Sequence, residues 1–323
     1  MMKWKKRGLI FDPSKNIMYN GCVEFAQSPQ VIVFKDFVRI YFSTRSRDAK
    51  GEYLSHISFI DMDLSLSRII NISQKEVIKL GSLGTFDEHG IFPISPFVHN
   101  NEIYAFTCGW NRRISVPVET SIGIVRSYDE GATFERIGPG PILSSSPKEP
   151  VLVGDGFVKY FEGEFHMWYI FGTKWINKTE KEPVARVYKI GHATSEDLFY
   201  WSKKEEGKQI IDSVLNEEEC QALPTVEKIG NRYHMYFCFR ESSDFRTNPK
   251  RSYKLGYAYS DNLVDWIRND EMGGMKTSDD KNDWDSEMQC YPHLFKVKNK
   301  VYLLYNGNQF GRYGFGLAEL INE

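Results

Sequence analysis

An all-β chain folded as a single five-bladed β-propeller is what this sequence predicts, and three observations carry the prediction. Aromatic-rich segments recur as RIYFS (39–43), IYAFT (103–107), HMWYI (166–170), HMYFC (234–238) and VYLLY (301–305), their reference aromatics Phe42, Phe106, Tyr169, Phe237 and Tyr305 lying 63 to 68 residues apart. Thirteen residues before each aromatic stands Pro29, Pro93, Gly156, Pro224 or Pro292. No stretch sustains a helical period, and the repeated runs are β-branched, aromatic and bounded by turn residues. A unit of about 65 residues with three or four short strands cannot bury its own faces, so five such units stack radially around a channel.

Each unit reads in the same order. The first strand starts at the proline, where no ladder donor is lost. A polar or glycine turn follows (KD, NN, EG, GN and KN, in chain order), then the aromatic strand, a longer connection and a third run: YLSHISFID (53–61), SIGIVRSYD (121–129), YKIGHATSED (188–197), YKLGYAYSD (253–261) and FGLAEL (315–320). Units three and four share Ser-x5-Trp, ending at Trp201 and Trp266. The expected blades span 21–80, 81–143, 144–212, 213–272 and 273–323. The last has room for only three strands, so the run 8–11 is expected to pair on its outside and close the ring.

Composition excludes several functions. The chain has 323 residues, 41 Lys+Arg against 43 Asp+Glu, which argues against nucleic-acid binding through a charged surface. Apolar runs such as Val31 to Phe34 and Val301 to Tyr305 fall far short of the roughly 20 residues of a membrane span. The N-terminus lacks the apolar core of a secretion signal. Cys22, Cys108, Cys220, Cys238 and Cys290 are odd in number, without a CxxC pair, so neither a disulfide framework nor a metal site is expected and a reducing cytoplasm is. No cofactor motif is present.

Strand parity places candidate residues. Two residues after the proline position stand Val31, Ser95, Val158, Val226 and Leu294, expected between blades. The flanking positions then line the channel: Ser28 and Gln30, Phe92 and Ile94, Asp155 and Phe157, Leu223 and Thr225, Tyr291 and His293. Asp155 alone brings a carboxylate there and breaks the repeat. Glu24, Glu88, Glu219 and Glu287 all stand five residues before a proline; in an extended chain they would form a ring above Asp155, whereas a residue repeated in four blades also suits a repeated structural task. Gln27, Gln221 and Gln289 sit between these positions and the prolines. The connections beyond the second strands carry Arg45, Trp110, Arg112, Trp175, Arg240, Arg246 and Asn308, aromatic faces and guanidinium forks suited to an anionic sugar. His89 and His293 are expected to contact ligand; His166 and His234 occupy matching positions and read as structural, as do the cysteines.

The pattern resembles the five-bladed carbohydrate enzymes: the arabinanases and xylosidases of glycoside hydrolase family 43, the invertases and levansucrases of families 32 and 68, and the mannoside phosphorylases of family 130. GHATSEDLFYW (191–201) and GYAYSDNLVDW (256–266) carry the likeness. It implies that Asp155 modulates the acid and stabilises an oxocarbenium-like transition state. Two positions depart from it. Ser28 stands where a base or nucleophile Asp belongs, and Glu219-Cys220, similar to an invertase Glu-Cys, lies five residues before Pro224, with Ala222 nearer. EFAQSP (24–29) with YFSTR (41–45) is similar to propeller proteins of surface-polysaccharide gene clusters. SYDEGATF (127–134) resembles a sialidase Asp box, a structural turn.

The resemblance therefore implies a glycosidase or related glycosyl-transferring enzyme acting on an anionic or nucleotide-linked sugar, with Asp155, Glu219 as acid, and Glu24 or a water held by Gln27 and Ser28 in the base role. The alternatives are a sugar-binding propeller with a decayed triad, and a protein-interaction propeller.

Overall fold

The computed structural model describes residues 1–176 and 184–322, and they form five small antiparallel sheets in a ring. Blade one holds β2 (Gln27–Val33), β3 (Phe37–Arg47), β4 (Tyr53–Asp63) and β5 (Ile69–Ile72). Blade two holds β6 (Ile91–His99), β7 (Glu102–Arg112), β8 (Val118–Ser127) and β9 (Glu135–Arg136). Blade three has β10 (Val153–Phe161), β11 (Glu164–Ile176) and β12 (Ala185–Ser195); blade four has β13 (Cys220–Ile229), β14 (Arg232–Arg240), β15 (Lys254–Ser260) and β16 (Ile267–Arg268). Blade five is β17 (Cys290–Val297), β18 (Lys300–Asn306) and β19 (Phe315–Asn322), with β1 (Lys3–Phe11) as its outermost strand.

That N-terminal strand closes the ring as the short last repeat requires. It pairs with β19 from Lys3 opposite Asn322 to Phe11 opposite Phe315, longer than the 8–11 expected. Phe11 then packs on Phe42 and Phe315, tying blade one to blade five.

Burial explains the ring. The apolar side chains gather in five clusters, each between consecutive blades: Ile32, Tyr41 and Ile94 between blades one and two; Phe106, Val158 and Met167 between two and three; Trp168, Val226 and Phe237 between three and four; Tyr236, Tyr257 and Leu303 between four and five; Phe42, Leu304 and Phe315 between five and one. Every blade depends on two neighbours for its core, the reason a single repeat of this size has no independent fold.

The Ser-x5-Trp motif is structural. Ser195 Oγ accepts the Leu198 N–H at 3.0 Å and Trp201 Nε1 donates to the Leu198 carbonyl at 2.8 Å; Ser260, Leu263 and Trp266 repeat the arrangement at 2.9 and 3.2 Å. The Asp-box segment closes the corresponding turn of blade two, Ser127 Oγ accepting the Gly131 N–H at 2.8 Å and Asp129 that of Thr133 at 2.8 Å.

Candidate functional site

All five innermost strands break register at the same place. The pairing skips from Gln27 to Gln30, Ile91 to Ile94, Gly154 to Phe157, Ala222 to Thr225 and Cys290 to His293, a bulge at every proline position or at Gly156. Ser28, Asp155, Leu223 and Tyr291 take positive φ (54°, 52°, 49° and 55°), whereas Phe92 precedes a cis proline. Left-handed backbone costs a non-glycine residue of order 1–3 kcal/mol and collects at functional sites. Asp tolerates it best of these side chains, a local reason for aspartate in blade three.

The bulge also corrects the carboxylate ring. An extra residue in the strand reverses the parity of everything before it, and the acidic positions precede the strands altogether, so Glu24, Glu88, Glu219 and Glu287 do not stack above Asp155. Glu287 is exposed, and Glu88 accepts the Gly84 N–H at 2.9 Å in its own turn. Glu24 is paired with Arg312. Glu219 is fully buried: it holds Arg268 at 2.6 Å, accepts the Val214 and Leu215 N–H groups at 2.9 and 3.0 Å, and takes a bond from Gln221 Nε2 at 2.9 Å. With its oxygens so engaged, this side chain is a structural anchor.

It has counterparts that a fixed offset overlooks. Asp87 holds Arg136 Nε at 2.7 Å, Glu149 is buried against Lys203 and accepts Tyr169 Oη at 2.6 Å, and Asp285 holds Lys6 at 2.7 Å. In four blades a buried carboxylate on the approach to the first strand thus grips a cation from the blade's outer side. The offset drifts between five and seven residues. Pairing acidic residues in that window with a Lys or Arg near each fourth strand is the signal that finds them.

Asp155 stands apart. Its side chain is buried at the bulge, where Leu223 N–H points to it at 3.4 Å. Burial pushes its pKa up to about 7, against the weaker pull of that N–H and of the Arg186 charge. No carboxylate faces it among the described residues, and no hydrogen bond or ion pair joins it to Glu219 or Glu24.

Around Asp155 the channel mouth is aromatic and cationic. Tyr188 and Tyr253 share a hydrogen bond at 2.6 Å, and Tyr291 packs edge-on against Tyr253 at 5.6 Å and Phe92 at 5.3 Å. Arg240 is buried, donates to Tyr188 Oη at 2.8 Å and lies 3.5 Å over Phe245, its Nε without a partner. Arg45 lies 4.7 Å over Phe25 and 5.3 Å over Tyr53. Strand parity already places Tyr291 in the channel, whereas Arg186, Tyr188 and Tyr253 emerge only from the structure, although the repeated Tyr-Lys-x-Gly of 188–191 and 253–256 marks two of them.

The remaining candidates divide. Ser28 Oγ, Gln27 Oε1, His89 Nδ1 and His293 Nδ1 are buried without partners, while His293 Nε2 accepts the Val31 N–H at 3.2 Å. Burial holds the His293 pKa well below its usual value, so the ring is neutral with its proton on Nδ1. His89 packs at a tilt against Trp110, ring centroids 5.6 Å apart. Trp175 packs against the core between blades three and four. Four of the expected ligand residues are tied into the scaffold: Arg112 pairs with Asp48 and Glu52 at 2.8 and 3.0 Å, Gln221 Nε2 binds the Ile211 carbonyl at 2.9 Å, Gln289 Nε2 holds Asp285 at 2.7 Å, and Asn308 caps the Glu287 N–H at 2.8 Å. Their polar atoms serve loops that a sequence read strand by strand cannot place. No group of three or more His, Cys, Asp or Glu side chains converges as a metal site among the described residues.

No family model matches the chain. Two uncharacterized proteins of Mycobacterium tuberculosis, MT1551 and Rv1502, are each 29% identical over 322 residues, covering 99% of this chain and the whole of theirs. Among solved structures, BT0996, solved in an RGII complex, superposes with a TM-score of 0.73 at 17% identity over 98% of this chain and 92% of its own. A glycoside hydrolase gives 0.72 at 16%, over 98% and 92%, and a thermostable family-43 glycoside hydrolase 0.64 at 13%, over 94% and 91%. The expected likeness is therefore found in three dimensions: this chain has the five-bladed propeller fold seen in glycoside hydrolases.

Proposed function

We propose that this propeller is a carbohydrate-active enzyme acting on an anionic or nucleotide-linked sugar bound in the central funnel. The observation that carries the reading is Asp155, a lone buried carboxyl at a strained bulge whose pKa of about 7 keeps much of it protonated near neutrality. A buried acid of that kind suits donation to a departing glycosidic oxygen, since a general acid works best with its pKa near the working pH. Aromatic faces at Phe25, Tyr53, Tyr253 and Tyr291 suit sugar rings, and the guanidinium groups of Arg45 and Arg240 suit a negative charge on the same ligand.

Hydrolysis by the usual pair of carboxyls, roughly 5 Å apart for retention or 6.5–9.5 Å for inversion, asks for a second carboxylate facing Asp155. Glu219 is engaged elsewhere. Transfer in which the sugar's own anionic group or the acceptor supplies the nucleophile fits a single acid better. The same observation favours one second reading, a sugar-binding propeller without turnover.

Turnover of a panel of aryl glycosides, sugar phosphates and nucleotide sugars tests the choice. We expect product with at least one anionic donor and a loss of about 10²–10⁴-fold in Asp155→Asn. Saturable glycan binding with no product at high enzyme selects the binding protein, and an Asp155→Asn variant with full activity removes Asp155 from the chemistry.

A further inference from the structure

Arginines of the blade-end loops differ in whether a carboxylate answers them. On the rim, Arg312 holds Glu24, Arg251 reaches Glu241 and Asp244, Arg112 holds Asp48 and Glu52, and Arg113 holds Glu119. Arg45, Arg186, Arg240 and Arg246 hold no carboxylate among the described residues, although acidic groups lie in the same loops.

These four share the channel mouth. Arg45 comes from the end of β3 in blade one and Arg246 from the loop after β14 in blade four, yet the segments they cover meet: Arg45 lies over Phe25, whose N–H donates to the Arg312 carbonyl at 3.0 Å, and Arg246 lies over Phe310 two residues away, its charge adding to burial in lowering the Arg45 pKa. Arg246 lies 5.0 Å over Phe245 and 4.9 Å over Phe310, as Arg45 does over Phe25 and Tyr53. A guanidinium held over aromatic rings keeps its N–H donors for a ligand. No hydrogen bond occupies either guanidinium among the described residues. Arg240, 3% exposed, adds an unpartnered Nε behind them, and Tyr291 lies within the field of both Arg45 and Arg246.

Two guanidinium groups that repel each other without a counterion are satisfied by a ligand carrying two charges on one small centre. A carboxylate brings one. A phosphoryl group brings about two, with three acceptor oxygens for several N–H edges.

We propose that Arg45 and Arg246, backed by Arg240, form a phosphoryl subsite at the funnel mouth that takes a phosphate group, sugar-borne or free, in preference to a sugar carboxylate. The proposal rests on the funnel being the sugar site and names the charge its ligand carries.

Calorimetric and thermal-shift titrations of the full chain at fixed ionic strength test it, with inorganic phosphate, glucose 1-phosphate and glucuronate as probes. We expect saturable binding of one or both phosphates, none of glucuronate, and affinity about tenfold or more weaker in Arg45→Met and in Arg246→Met, as loss of a charged hydrogen-bond donor implies. Arg246 is exposed, so its variant keeps the test intact if Arg45→Met fails to fold. Tighter glucose 1-phosphate than phosphate makes the group sugar-borne; equal affinity makes it free phosphate. Glucuronate binding as tightly as the phosphates, no phosphate binding, or phosphate binding unchanged in the double variant overturns the subsite. Phosphate binding without turnover of any sugar would sink the enzymatic reading alone, and turnover of neutral glycosides without phosphate binding would sink the subsite alone.

Discussion

At the scale of single residues, Asp155 and Glu219 are two buried carboxyls with opposite roles, one unpaired and one held by Arg268. Burial raises the Asp155 pKa in the folded chain to about 7 from 3.8. A raised carboxyl pKa favours folding below the unfolded value and loses that contribution as pH climbs to the folded one. Wild-type stability relative to Asp155→Asn is therefore expected to be flat below about pH 4, to fall between pH 4 and 7, and to level off above, by an amount on the order of a few kcal/mol. Asn accepts the same positive φ, so denaturation curves of the two proteins isolate the charge; a difference that does not vary with pH would contradict the buried ionisation. Glu219 predicts a loss of stability rather than of chemistry. Removing one member of a buried ion pair costs about 3–5 kcal/mol, so Glu219→Gln is expected to lower the urea midpoint strongly while sparing activity in the fraction that remains folded. Unchanged stability with abolished turnover would return Glu219 to the catalytic role its Glu-Cys sequence implied.

Strands and their connections decide how much of the site a reader of the sequence can place. The proline marks the bulge in four blades and Gly156 marks it in the fifth, yet nothing in the local pattern announces that one extra residue will reverse the parity ahead of it. Parity counted after the bulge locates Val31, Val158, Val226 and Leu294 in the core; counted before it, the same rule puts Glu219 in the channel, when it belongs to Arg268. The closing strand is another matter, because the missing fourth strand of the last repeat implies it directly. Met2 and Phe11 are buried, Trp4 Nε1 donates to the Gly273 carbonyl at 2.9 Å, and Lys6 completes the Asp285 pair. Deletion of residues 1–11 should therefore expose both the edge of β19 and the core between blades five and one, lowering the melting temperature by roughly 10 °C or more, which differential scanning calorimetry reads. A melting temperature within a degree or two of the full chain would mean that β1 is not the closure.

For the whole molecule, near-zero net charge conceals a division. Carboxylates are spent in ion pairs beneath the blades and along the rim, while the funnel keeps Arg45, Arg186, Arg240 and Arg246 without carboxylate partners among the described residues and a single acid that is largely neutral below pH 7. A focused positive field of this kind attracts anions and weakens with salt. The sequence by itself determined the ring: aromatic strands 63 to 68 residues apart, prolines in register and an incomplete last unit leave five blades and one closure. It also determined that Asp155 is exceptional, because a break in a repeat is visible without coordinates. Only the tertiary structure decided which charges are free. Arg112 and Arg246 look alike in the chain, one answered by Asp48 and Glu52 across a loop and the other by nothing among the described residues. A repeat fixes the position of a residue within its own blade, whereas the ion pairs that silence or expose it form between segments whose separation in sequence carries no periodic signal.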